Sequence, residues 1–172
     1  MEIQELKAII NEMAIQHAYP GFEMRSLKLG LPERAVKSPA SLFCRALKQG
    51  DPLVKLAALR WFQDRPGDAK KNVTSIVPSL HDEDEWVRIE TVRAIEHVSD
   101  PGTSIIEEVA KLLLDNNIEV QKAAAKACGK FQCKSEAVIS LLKQAAQSKH
   151  TEVRWKSQKA LRKLDMYSKP QP

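Results

Sequence analysis

The sequence predicts an all-α fold: an α-solenoid of four stacked helical hairpins with an N-terminal capping helix. Three observations carry this. Val54, Val87, Val120 and Val153 recur every 33 residues, and a fixed period of this length marks an array of supersecondary units. The residues around each valine repeat in kind. Three places before it stand Asp51, Asp84, Asn117 and His150, and one place after it Lys55, Arg88, Gln121 and Arg154. Small residues follow at the fourth place (Ala58, Thr91, Ala124, Ser157) and larger apolar ones at the eighth (Phe62, Ile95, Cys128, Leu161). Finally, with each valine as position 0, positions 0, 4, 7, 8 and 11 fall on one stripe at the helical period. In the third copy these are Val120, Ala124, Ala127, Cys128 and Phe131.

Each element follows in order. Residues 1–20 hold the capping helix, amphipathic over 2–18 with Ile3, Leu6, Ile10 and Met13 on one side. Pro20, Gly21, Gly30 and Pro32 then break any helical pattern, so residues 21–37 read as a connecting loop. Ser38-Pro39 opens the first hairpin as cap and first helical residue, because proline suits the place where an amide has no partner. A Ser-Pro phosphorylation site is the sharper reading of that dipeptide, and the helix that follows favours the cap. The repeats span about 38–66, 67–99, 100–132 and 133–164. In each, a first helix A precedes the valine-bearing helix B. The A segments carry Leu42, Phe43, Ala46 and Leu47; Ile76, Val77 and Leu80; Val109, Leu112 and Leu113; and Leu141, Leu142, Ala145 and Ala146. Asp51, Asp84 and Asn117 stand where their side chains accept from the free amides of a helix B. His150 is a poorer cap, which Thr151 replaces. Residues 165–172 form a flexible tail.

Composition bounds the function. The 172 residues are 43% hydrophobic and 28% charged, enough to bury a core. No apolar run is long enough to cross a bilayer, and the acidic, charge-interrupted N-terminus does not read as a secretory signal. Cys44, Cys128 and Cys133 are odd in number and scattered, as thiols in a reducing compartment would be. Asn72-Val73-Thr74 matches a glycosylation sequon, read here as chance. The net charge is +5, and its placement is uneven: residues 149–172 hold 7 Lys and Arg against 2 acids, while the preceding 148 balance at 20 and 20. The surplus sits on the last helix, with Lys156, Lys159, Arg162 and Lys163, and on the tail, either as a solvated cap or as a phosphate-binding patch.

Asp84-Glu85-Trp86-Val87-Arg88, Asp51-Pro52-Leu53-Val54-Lys55 and Glu152-Val153-Arg154 resemble the turn into helix B of the HEAT repeat family, in its compact HEAT-like form. The resemblance covers about three quarters of the chain, and Gln121 and His150 depart from it. It implies a right-handed α-solenoid whose B helices line a concave face used for partners. The Thr-Pro-Leu-His signature of ankyrin and the tetratricopeptide pattern are absent. Some HEAT-like proteins are enzymes. The iron-binding His-Glu dipeptides of deoxyhypusine hydroxylases do not occur here. Asp64 beside Arg60 and Trp61 is the nearest imitation of a DNA glycosylase site, and no motif of the phycobilin lyases maps onto the chain. The reading is therefore non-enzymatic, with no cofactor and no metal.

Two rows on the B helices point away from the core stripe. Position 6 is Arg60, Arg93, Lys126 and Lys159; position 2 is Leu56, Ile89, Lys122 and Trp155. They predict a groove with an apolar floor and a cationic rail, suited to a protein segment with acidic and hydrophobic residues. Charge reversal at Arg93 and Lys126 would then weaken binding without lowering thermal stability. The alternative for the basic row is a set of salt bridges to Asp64, Glu90 or Glu96, and for position 2 it is partial cover by the neighbouring helix. Trp86 reads as inter-repeat packing. The expected function is an intracellular scaffold, cytoplasmic or nuclear, binding another protein on this concave ridge. The alternatives are nucleic-acid binding through the ridge and the basic C-terminal end, and a HEAT-like enzyme.

Overall fold

The computed structural model describes residues 2–16 and 40–166. The expected loop over 21–37, the Ser38-Pro39 opening and the tail beyond 166 lie outside the described residues, as do His17 and the side chains of Ile10 and Met13. The helices run α1 (Ile3–Gln16), α2 (Ala40–Gln49), α3 (Pro52–Gln63), α4 (Pro66–Lys71), α5 (Val73–Ile76), α6 (Glu85–Glu96), α7 (Thr103–Lys111), α8 (Ile118–Phe131), α9 (Glu136–Ala145) and α10 (Thr151–Met166). Short 3-10 turns follow α5 (Val77–His81) and α7 (Leu112–Leu114). The B helices α3, α6, α8 and α10 form one layer in which each packs on the next, and the A segments lie behind them.

The caps explain where the B helices start. Asp51 accepts from the Val54 amide at 3.2 Å. Asp84 accepts from Trp86 and Val87 at 2.9 and 3.1 Å. Asn117 accepts from Glu119 and Val120 at 2.8 and 3.3 Å. Each cap satisfies amides that have no partner inside the helix, a contribution of about 1 kcal/mol. The second A segment is not one helix but three pieces. Asn72 leaves helical geometry at φ −116° and ψ 16°, and Pro78 has no amide to continue the ladder, so the chain tightens into a 3-10 turn. Asn72 is itself engaged, donating to Asp68 O at 2.8 Å while Cys44 Sγ donates to its Oδ1 at 3.5 Å.

The core runs the length of the stack through Phe43, Phe62, Ile76, Leu80, Ile95, Leu113 and Leu142, all fully buried. Burying each such side chain contributes about 1.5–3 kcal/mol. In the first hairpin Trp61 stacks on Phe43 with centroids 4.3 Å apart and meets Phe62 edge-on at 5.2 Å. Helix α1 lies against α2 and α3. It buries Leu6 and Ile9 and joins Lys7 to Asp51 at 3.0 Å. Burial pushes the Asp51 carboxyl up, but Lys7 and the α3 amides outweigh it and hold it below the ordinary value.

Position 1 ties consecutive hairpins together in the first two copies and ties helix B to the loop before it in the last two. Lys55 Nζ donates to Asp82 at 2.7 Å. Arg88 donates to both carboxylate oxygens of Asp115 at 2.9 Å and to the carbonyls of Asp82 and Glu83. Gln121 reaches the Asp115 carbonyl and Arg154 the Ser148 carbonyl. Asp82, Asp115 and Ser148 are themselves 33 residues apart, a further register of the repeat that the valine-centred reading passed over.

Candidate binding surface on the B helices

The surface begins with what the apolar row does. Leu56 is 8% exposed and Ile89 2%, so neither forms a floor open to a partner. The physical reason lies in the B layer. The side of α3, α6 and α8 opposite the core stripe faces the next B helix, not solvent. At position 5, Leu59, Val92 and Ala125 are fully buried. At position 9, Gln63 Nε2 donates to Glu90 at 2.8 Å, the Glu96 carboxylate accepts from Lys126 at 2.9 Å and its carbonyl from Lys130, and Gly129 lies against Ala160. Lys122, at position 2, is held between Glu119 and Glu152. Hydrogen bonds to Glu152 and then to Glu119 raise its pKa, and the same Lys122 contact lowers that of Glu152. The apolar row is therefore mostly the seam between repeats. Its exposed member is Trp155, at 52%, with Lys159 Nζ 4.9 Å above its ring. The sequence signal for the buried seam was present: α3 is apolar on nearly every side, as a helix covered on two faces must be.

The basic row divides as well. Arg93 donates to Glu90 at 2.5 Å and Lys126 to Glu96 at 2.9 Å. Glu90 is 4% exposed and Glu96 6%. A buried carboxylate stripped of its counter-charge is costly, so Arg93 and Lys126 are counter-ions of the stack. Reversing them is therefore expected to lower stability, where the sequence reading expected it unchanged. Glu96 Oε1 has no partner among the described residues. Arg93 and Lys126 share a depression of about 160 Å³ with Trp86, Ile89, Lys122 and Lys156. Lys126 and Lys159 share another, of about 410 Å³, with Trp155, Lys156 and Lys163 around Ala125, Gly129 and Ala160. Three members of the basic row are thus brought together along α6, α8 and α10, while the half-buried Arg60 on α3 lines neither depression. Lys156 and Lys163, one turn from Lys159, also belong to this surface; in the sequence they stood out only as part of the basic C-terminal end, because the partner rows were read at positions 2 and 6.

Reactive groups do not converge. Asp64 is exposed just beyond α3, whereas Trp61 is buried on Phe43 with Arg65 4.6 Å over its ring, so the two do not face a common cavity. Burial pushes the Cys128 thiol up to about 12, which leaves it protonated and unreactive. Among the described residues no three His, Cys, Asp or Glu are placed to hold a metal. No described helix is long and apolar enough to cross a membrane.

Comparison with known proteins agrees with the helical repeat. The family described as HEAT repeats matches residues 73–162, more than half of the chain. Two crystal structures of engineered proteins are similar in fold, each with a TM-score of 0.57 and 22% identity. They cover 74% and 78% of this chain, and the chain spans 62% and 40% of theirs. No curated protein matches it.

Proposed function

The chain belongs to the HEAT repeat family, and from that premise we propose that it is a non-enzymatic interaction module. It holds another protein along the C-terminal half of its B-helix ridge. One observation carries this reading: the depression between α8 and α10 combines a half-exposed Trp155 with Lys126, Lys156, Lys159 and Lys163, and among the described residues no acid lines it. An aromatic anchor amid cations fits a segment with hydrophobic and acidic side chains. The cations supply steering and specificity more than affinity. Three free thiols support a reducing, intracellular setting.

The test is affinity capture with the wild type beside a Lys156→Glu/Lys163→Glu double variant. The variant is expected to keep its Tm and to lose the captured partner. Equal capture by both proteins removes the ridge from the account. A gel shift with single-stranded nucleic acid separates the other binding class, because phosphate contacts weaken steeply as salt rises. A shift with that salt dependence, lost in the same variant, turns the reading to nucleic acid.

A further inference from the structure

Position 9 describes the contact between consecutive B helices. Gln63 meets the Glu90 carboxylate, Glu96 meets Lys126 and Lys130, and Gly129 meets Ala160. At each step the receiving residue and the incoming one are matched in charge or in size. The incoming helix runs parallel to the receiving one, since Lys122 takes Glu152 near the start of the α8–α10 contact and Gly129 takes Ala160 further along. The fourth member of this row is Arg162, exposed on α10 with its Nε 3.4 Å from the Gln158 carbonyl of the same helix. Two turns earlier on the same face stands Trp155, whose counterparts Leu56 and Ile89 lie buried under the next helix.

We propose that this outer face of α10, bounded by Trp155 and Arg162, receives one more helix in the manner of a further B helix. The occupant is an amphipathic helix of a partner protein, with an apolar residue over Trp155 and an acid two turns later on Arg162. Charge complementarity selects it: the exposed side of α10 carries Lys159, Arg162 and Lys163. The seam rule then calls for the opposite sign, as at Glu96 and Lys126. Position 5 is Gln158 where the internal repeats have Leu59, Val92 and Ala125, so the face remains soluble when empty and the helix is exchangeable. The proposal rests on the interaction-module reading and shares Trp155 with the α8–α10 depression, but Arg162 does not line that depression and separates the two sites.

The experiment uses the whole chain and a fluorescein-labelled synthetic helix bearing Leu and, seven residues on, Glu, with a composition-matched scramble as control. Anisotropy is expected to show binding of the ordered peptide, weakened roughly tenfold or more by Arg162→Glu. Trp155→Ala is expected to weaken it as well, and the Lys156→Glu/Lys163→Glu pair, acting through the field of α10 alone, to weaken it less than Arg162→Glu does. Acrylamide is expected to quench Trp155 in the free protein, with Trp155→Phe as reference. Equal binding of the scramble, or binding indifferent to Arg162→Glu, overturns the end-face proposal. If the peptide is lost only in the Lys156/Lys163 variant, the ridge reading survives alone. If partner capture survives that variant and falls with Arg162→Glu, the end face survives alone. A dimer in sedimentation equilibrium that Trp155→Ala dissolves assigns the face to a second copy and overturns the proposal. So does a Trp155 shielded from acrylamide, which assigns it to a segment of this chain, and so does displacement of the peptide by single-stranded nucleic acid.

Discussion

Ile89 and Trp155 occupy the same place in the repeat, yet one is 2% exposed and the other 52%. Ile89 lies in the seam between α6 and α8, where the next B helix closes over it. Trp155 stands on α10, with no described helix across from it. The difference teaches that position 2 is a receiving place first and a binding place only where it is unoccupied. The same split separates Lys126, which neutralises a buried carboxylate, from Lys159, which stands over an exposed ring.

The strongest way to break this comparison is to unpair the internal seam. Asp115→Ala leaves the Arg88 guanidinium buried without its bidentate partner, and an unfolding free-energy loss of about 3–5 kcal/mol is expected in urea titration. A loss under about 1 kcal/mol would show that position 1 does not hold the hairpins together. Next, Ile89→Ala is expected to cost about 2–4 kcal/mol, whereas Trp155→Ala stays within about 0.5 kcal/mol of the wild type. Similar losses at the two places would mean that Trp155 is covered in solution. A third contrast uses the close approach of α8 to α10. A Cβ placed on Gly129 comes within 3.1 Å of Ala160 Cβ and 3.2 Å of its Cα, while one on Gly67 meets nothing within 4 Å. Gly129→Val is expected to destabilise by about 1–3 kcal/mol as the helices are forced apart. Gly67→Ala is expected to be neutral or slightly stabilising, since it removes unfolded-state freedom.

The smallest effect sharpens the comparison by pH. The Lys122 contact lowers the Glu152 carboxyl below its ordinary 4.5. Its contribution to the α8–α10 seam is therefore full above that value and fades as pH falls through the lowered one. The Lys122 ammonium is raised above its ordinary 10.5, so its share is full below that value and is lost as pH rises through the raised one. Amide exchange in α10 should quicken at both extremes before exchange in α6 does. Glu152→Gln should remove the acid limb. A Glu152→Gln protein with an unchanged acid limb would place the titration elsewhere.

Much of this was legible in the chain. Asp51, Asp84 and Asn117 cap α3, α6 and α8 because a cap acts within three residues of itself. The apolar stripe from Val54, Val87, Val120 and Val153 is buried because those side chains repeat at helical spacing. The break in the second A segment was also local in cause, since Pro78 was in view, but the apolar pattern of Ile76, Val77 and Leu80 masked it. What escaped was the far side of each B helix. Leu56 and Ile89 read as a floor for a partner, and Lys156 and Lys163 read as part of a basic end rather than of the ridge.

Sequence alone determined the period, the helical hairpins, their caps and the stripe that meets the A segments, because each depends on interactions within a few residues along the chain. Tertiary structure decided which remaining face meets solvent. A helical wheel orients residues about one axis but carries no information on where the neighbouring axis lies. Whether Lys126 answers a buried Glu96 or a partner, and whether position 2 is closed as at Ile89 or open as at Trp155, is set by the helix a repeat away. That contact exists only once the hairpins have stacked.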